Sequence, residues 1–71
     1  MLPVLKWTPS QVATWVRAQG FDAHANLFKQ HEVDGGGLLE LDNLDLQRMG
    51  ITVVGHRHAI LRRIRTLAEP S

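Results

Sequence analysis

The sequence predicts an all-α fold, a compact five-helix bundle whose last helix is the longest. Apolar residues recur at helical spacing in several stretches, and residues that start or stop helices bound each stretch. Hydrophobic residues make up 44% of the 71 residues, and no cysteine is present to hold a small fold together. We therefore expect one domain spanning residues 1–71, with its folded part at about 7–68 and a core built from local helical contacts.

The first helix is predicted to start at Pro9. Thr8 and Gln11 have the spacing of a capping box, and proline is favoured at the first helical position. Trp7, just before the cap, has the spacing of a hydrophobic staple to the fourth helical residue. Gly20 suits the left-handed position that ends a helix. The residues predicted to face inward are Val12, Trp15 and Val16.

A second helix is predicted from Asp22, its expected cap, to about His31. Asp34 and the three glycines after it predict a turn, in which the third glycine adds looseness. The apolar residues of this helix are Ala25, Leu27 and Phe28.

Two short helices follow, at about 37–40 and 43–49. Asp42 is the predicted cap of the second of these, and Gly50 is its predicted stop. The residues expected inside it are Leu44, Leu46 and Met49.

The fifth helix is predicted from Thr52 or Val53 to about Ala68. Arg57 falls inside its apolar stripe, which is unexpected because arginine is always charged. We expect its stem to lie along the core edge, with the guanidinium reaching solvent or pairing with an internal carboxylate. The predicted stripe is Val53, Val54, Ile60, Leu61, Ile64, Leu67 and Ala68.

The net charge of +1 conceals one acidic and one basic segment. Residues 30–47 hold five carboxylates and no lysine or arginine, a net −5, whereas residues 48–71 hold five arginines and one glutamate, a net +4. Lys6, Arg17 and Lys29 against Asp22 give the remaining +2. A molecule with this division can attract copies of itself.

The sequence argues against metal, cofactor, enzyme and membrane functions. His24 and His31 are seven residues apart and His56 and His58 two apart, so neither pair has the i,i+4 spacing of a helical zinc site. The carboxylates would need a pocket to act as general acids, and a domain this small rarely has one. No apolar run approaches the ~20 residues of a membrane span. We expect an intracellular protein, in the cytoplasm rather than the nucleus.

The start of the fifth helix is the strongest candidate for binding. Val53, Val54, Gly55, His56 and Arg57 combine the positive end of the helix dipole, free N–H groups and two donor side chains. Such an end suits an acidic protein loop or a nucleic-acid phosphate, and it is equally compatible with a solvated helix start.

The order and spacing of many residues resemble the sterile alpha motif (SAM) family of small helical domains. Two departures are His58, where many relatives carry an apolar or long side chain, and a glycine run one residue longer than usual. The resemblance is carried by Trp7, Val12, Trp15, Val16, Phe28, Val33-Asp34-Gly35, Leu38-Leu39-Glu40-Leu41, Asp45-Leu46, Met49-Gly50-Ile51, Gly55-His56-Arg57, Ile60-Leu61, Ile64 and Leu67.

This resemblance implies a protein-association module that joins head to tail, with itself or with another SAM domain, as a homo-oligomer or hetero-oligomer. The implied mid-loop surface consists of Glu32, Asp34, Glu40, Asp42 and Asp45. The implied end-helix surface consists of Val53, Val54, Gly55, His56, Arg57 and Arg62.

A minority of relatives bind RNA hairpins, and that alternative would rest on Arg57, Arg62, Arg63 and Arg65. A net charge of only +1 and the lack of an evident exposed aromatic platform argue against nucleic acid. The sequence therefore favours protein association over RNA binding.

Overall fold

A computed structural model describes residues 3–69, so the first two and last two residues of the predicted 1–71 domain lie outside the described range. Within it the chain forms five α-helices and no strand, which confirms the predicted all-α class. A short 3₁₀ helix, Val4–Lys6, comes first and was not predicted. The α-helices are α1 (Pro9–Ala18), α2 (Asp22–Gln30), α3 (Gly35–Glu40), α4 (Asn43–Arg48) and α5 (Val54–Ala68).

Local capping residues set the ends of α1 as predicted. The Gln11 amide donates to Thr8 Oγ1 over 3.2 Å, and the Thr8 amide donates to Gln11 Oε1 over 2.8 Å, which completes a capping box. At the other end Gly20 has φ +93°, the left-handed conformation that glycine adopts without strain. Because the box satisfies two otherwise unpaired N–H groups, the start of α1 is fixed by neighbouring residues alone.

The prediction that Asp22 caps α2 was wrong. The capping position belongs to Phe21, whose side chain makes no capping hydrogen bond, and Asp22 is the first helical residue. Its carboxylate instead accepts a 2.7 Å bond from Arg17 Nε of α1. Asp22 therefore links the two helices, and its charge still suits the positive end of the α2 dipole.

The glycine run is the start of α3, so the predicted loose turn was wrong. Asp34 caps this helix, because its Oδ1 accepts the Gly37 amide over 2.8 Å. Gly35 is buried, and a Cβ there would overlap the carbonyl oxygen of Val4 and lie 2.7 Å from its carbonyl carbon. The Gly35 amide donates to the Trp7 carbonyl over 2.9 Å. Gly35 is therefore required by close contact with the N-terminal segment.

The fourth helix follows its predicted signals, with one exception. Asp42 and Asp45 form a capping box at its start, and Gly50, at φ +105°, ends it. Leu46 and Met49 are buried as predicted. Leu44 was wrongly predicted to lie inside, because half of its surface is exposed.

The fifth helix begins at Val54, one or two residues later than predicted. Its buried residues are Arg57, Ile60 and Ile64, while Leu61 and Leu67 are half-buried at the core edge. The predicted apolar stripe was therefore wider than the buried face of the helix. The residues wrongly predicted to face inward are Val53, Val54 and Ala68.

The core lies where α1 packs on α2 and where α3 and α4 pack on α5. The Trp7 and Trp15 rings flank it, half-buried, with centroids 6.3 Å apart. No helix in residues 3–69 has both the length and the hydropathy of a membrane span. The buried apolar residues are Val12, Ala13, Val16, Ala25, Phe28, Val33, Leu38, Leu46, Met49, Ile51, Ile60 and Ile64.

Candidate interaction surfaces

The carboxylates of the mid-loop surface lie on α3, on α4 and in the loops before them. Asp45 is half-buried, and the others are exposed. Glu32 has φ +52°, a left-handed conformation that is unfavourable for a residue with a side chain. The main chain is therefore strained at the point where the acidic segment begins.

Three of these five carboxylates take part in helix capping, Asp34 and Asp42 as caps and Asp45 as the partner of Asp42 in a capping box. Asp34 caps α3, while Asp42 Oδ1 accepts the Asp45 amide over 2.8 Å and Asp45 Oδ2 accepts the Asp42 amide over 3.2 Å. Glu32 and Glu40 make no side-chain hydrogen bond or ion pair within residues 3–69. The fold thus fixes the three aspartates and leaves the two glutamates available to a partner.

A groove of about 380 Å³ opens beside these acidic residues, between the end of α2, α3 and α4. Glu40 and Asp45 line it, together with two basic residues, His31 and Arg48. Sequence reasoning missed the groove because its walls come from separate elements. Its other lining residues are Val33, Gly37, Leu41 and Met49.

The start of α5 exposes both apolar side chains and backbone donors. Val53 and Val54 are 49% and 53% exposed, and Gly55 has open space where a Cβ would lie. Val53 occupies the capping position but supplies no side-chain acceptor. The first amides of α5 are therefore left to solvent or to a partner.

Arg57 lies beneath this surface. It is only 6% exposed; its Nε donates to Asn43 Oδ1 and its Nη1 to the Ile51 carbonyl, each over 2.8 Å. Both expected environments were wrong, because the guanidinium neither reaches solvent nor pairs with a carboxylate. Arg57 instead joins the start of α4 to the segment that leads into α5.

His56 contacts a histidine of another helix. Its Nδ1 lies 2.9 Å from His24 Nε2, and the ring centroids are 5.1 Å apart. Burial first, and then His56, lower the pKa of His24 below its ordinary value. Sequence reasoning missed this pair because the two residues are 32 positions apart. Residues 3–69 contain no group of three or more potential metal ligands.

The remaining predicted residue of the end-helix surface, Arg62, lies apart from the helix start. It is exposed and follows Val54 by eight residues, which is about 12 Å along a helix axis. Arg63 and Arg65 are exposed too, and Arg65 lines a second groove of about 320 Å³ between the α3–α4 connection and α5. The basic side chains of α5 are thus spread along it.

The two surfaces lie at opposite ends of α2. His24, near its start, contacts the first turn of α5, whereas His31, just after its end, lines the groove beside the mid-loop carboxylates. Seven residues of helix separate them by about 10 Å. One molecule can therefore present both surfaces simultaneously.

Comparison with known proteins agrees with this architecture. The family model of the SAM domain (sterile alpha motif) matches residues 5–68. The chain belongs to the SAM family. SAM domains generally act as protein-interaction modules, so the coarse function expected from the sequence is confirmed.

Several larger proteins contain a similar SAM domain. Mouse diacylglycerol kinase delta is 35% identical over 69 residues, which cover 97% of this chain and 6% of the relative. Human SH3 and multiple ankyrin repeat domains protein 2 is 37% identical over 67 residues, 94% of this chain and 4% of the relative. Mouse diacylglycerol kinase eta is 37% identical over 65 residues, 92% of this chain and 5% of the relative. The chain thus spans a small fraction of these relatives.

Proposed function

We propose that this SAM domain associates head to tail, with the mid-loop surface of one copy binding the end-helix surface of the next. The observation that carries the proposal is that the two ends of the molecule present complementary surfaces. One end of the molecule has a groove beside the mid-loop carboxylates, and the other has an uncapped helix start with two exposed valines.

The apolar parts of the two surfaces are complementary. Val33, Leu41 and Met49 give the groove an apolar floor, and Val53 and Val54 are apolar side chains without cover at the start of α5. Burying such side chains stabilises a contact by about 25 cal/mol for each Å² removed from water. Valine insertion beside the acidic rim would therefore supply affinity, and the charges would supply orientation.

The polar parts are complementary as well. Glu40 has no partner of its own within residues 3–69, and a carboxylate is stabilised near the N-terminus of a helix by about 0.3–1 kcal/mol. The free amides of Val54 and Gly55 can donate to it. Arg62 lies farther along α5, where it can contact the rim of the acidic surface.

Arg57 has a different part in this proposal from the one first expected. Because its guanidinium is buried, it supports the end-helix surface by holding the segment before α5.

A head-to-tail contact uses two different surfaces, so it propagates as a filament unless the rotation between copies closes a ring.

The test uses two variants that each disable one surface. Glu40→Lys reverses a charge on the groove, and Val54→Glu places a carboxylate in the end-helix surface at a position where the α5 dipole tolerates it. We avoid Asp42 and His56 because one caps α4 and the other pairs with His24. Thr14→Lys, on the exposed side of α1, is the matched control for charge.

Sedimentation across concentration should show large species for the parent and for Thr14→Lys, and monomers for each surface variant alone. An equimolar mixture of Glu40→Lys and Val54→Glu should form a dimer and grow no further. Association should weaken with added salt, because exposed charges are screened over about 8–10 Å. Large species from either surface variant alone, or a monomeric mixture beside an assembling parent, would refute the two-surface arrangement.

If the parent stays monomeric at high concentration, the surviving form of the proposal is heterotypic, with a different SAM domain supplying one surface. We also propose that this domain is carried by a larger protein in the cytoplasm. The domain would recruit or cluster that protein.

RNA binding is the second candidate, and the observation that favours it is the exposure of Arg62, Arg63 and Arg65. The burial of Arg57 removes one of the four arginines on which it rested. Titration with a pool of RNA hairpins tests it. Tight binding that drops in Arg62→Ala or Arg63→Ala and falls steeply with salt would reverse the order of the two functions.

A further inference from the structure

The contact between His24 and His56 is unexplained by packing alone. The two rings come from α2 and from the first turn of α5, and a nitrogen of each ring points at the other over 2.9 Å. Such a contact needs one N–H and one lone pair. It therefore holds when the pair carries two or three ring protons, and it fails when all four nitrogens are protonated.

We propose that His24 is part of the end-helix surface and that the His24–His56 pair makes the binding of an acidic SAM surface depend on proton uptake. The proposal rests on the head-to-tail function above. The partner is the mid-loop surface of a second copy, which would bring Glu40 and its neighbours to the start of α5.

The first five residues of α5 hold two histidines, His56 of the pair and the exposed His58. Arg17 and Asp22, on α1 and α2, neutralise each other over 2.7 Å, and the guanidinium of Arg57 is directed to Asn43 and Ile51. The other charged or titratable groups on the elements that carry the pair or pack against them are Lys29 on α2, His58, Arg62, Arg63 and Arg65 on α5, Glu40 on α3, and Asp45 and Arg48 on α4.

Thermodynamic linkage determines the direction in which pH changes the affinity. An acidic partner favours the charged form of the pair, so the proton affinity of the pair is higher in the complex than in the free chain. Association therefore takes up a proton and strengthens as pH falls. Burial, and then His56, lower the pKa of His24, so the ring of His24 is largely uncharged in the free chain at neutral pH. At lower pH a fourth ring proton breaks the contact and the partner's carboxylates are neutralised, so association passes through a maximum.

The experiment uses the dimer of Glu40→Lys, which keeps the end-helix surface, with Val54→Glu, which keeps the groove. Its dissociation constant is measured by calorimetry from pH 8 to pH 5.5 in two buffers of different ionisation enthalpy, which counts the protons taken up. We expect affinity to rise by up to about three- to tenfold as pH falls from 8 to 6, the limiting effect of raising the pair's pKa by about half a unit to one unit.

His24→Gln or His56→Gln, placed in the Glu40→Lys chain, should abolish most of this rise and the proton uptake. His58→Gln in the same chain is the matched control and should retain both. An unchanged pH dependence in His24→Gln and His56→Gln, or affinity that falls on acidification towards pH 6, would overturn the inference while leaving head-to-tail association intact.

A second readout does not need the dimer. Ring NMR of monomeric Glu40→Lys should show linked titrations, so that His56→Gln moves the His24 transition to higher pH. Independent titrations of the two rings would overturn the inference whatever the association. If the two surface variants form no dimer at any pH while the parent assembles, the proposed function fails and this inference fails with it.

Discussion

Replacing Gly35 by alanine should destabilise the domain through a clash with a segment 31 positions earlier in the chain. The new Cβ would overlap the Val4 carbonyl oxygen and lie 3.2 Å from the Trp7 Cβ, so the N-terminal segment would have to move. That movement breaks the 2.9 Å bond from the Gly35 amide to the Trp7 carbonyl, worth about 0.5–1.5 kcal/mol. It also exposes part of the half-buried Trp7 ring, at a cost of about 1–2 kcal/mol.

Alanine is a better helix former than glycine by up to about 1 kcal/mol, which offsets part of this loss. The net loss should be about 1–3 kcal/mol, and each kcal/mol lowers the melting temperature of a domain of this size by about 4–8 °C. Thermal unfolding followed by circular dichroism measures it.

The neighbouring glycine provides a matched control. A Cβ on Gly36 would meet only Asp34 Oδ1, at an ordinary 3.7 Å, so Gly36→Ala should raise stability by up to about 1 kcal/mol. Deleting residues 1–6 removes the clash with Val4, so in that background the penalty of Gly35→Ala should shrink. A Gly35→Ala variant that melts at or above the parent, or a penalty unchanged by the deletion, would refute the close contact.

Three further predictions concern the buried arginine, the strained loop and the helix 5 register. Arg57→Met should lower the free energy of unfolding in urea by about 1–3 kcal/mol because it leaves the Ile51 carbonyl without its donor, and parental stability would contradict this. Glu32→Gly should raise stability by about 0.5–1 kcal/mol because it relieves the left-handed strain, and it should weaken association because it removes a mid-loop carboxylate. A variant that is less stable than the parent, or that associates as strongly, would contradict this prediction. Ile60→Ala should cost about 2–5 kcal/mol and half-buried Leu61→Ala about 1–2 kcal/mol, and the reverse order in thermal melts would mean the register is wrong.

The sequence predicted the helices well because their boundaries depend on neighbouring residues. The capping box at Thr8 and the stops at Gly20 and Gly50 each act within a few positions, and each was found where expected. The glycine at position 35 was misread because its cause is Val4, which only tertiary packing brings near it. Local signals therefore predicted the helices, whereas contacts between helices could not be predicted from them.

The same distinction applies to the candidate surfaces. The acidic and basic segments were visible as charge along the chain, but the groove beside Glu40 needs three elements to assemble it. The partners of Arg57 are 14 and 6 residues away and lie outside α5, so the periodicity of that helix does not reveal them. His24 was assigned no role from sequence, because its pairing with His56 depends on how α2 meets α5.

Asp34, Asp42 and Asp45 take part in helix capping, and this limits which substitutions the mid-loop surface can accept. Any substitution there that removes the side-chain acceptor also removes a capping hydrogen bond, and loss of a cap costs about 0.5–2 kcal/mol in a small domain. Charge at those three positions can be lost cheaply through asparagine or serine, and it cannot be reversed cheaply. Glu32 and Glu40 carry no such duty, so a change of binding partner is most accessible through the two glutamates.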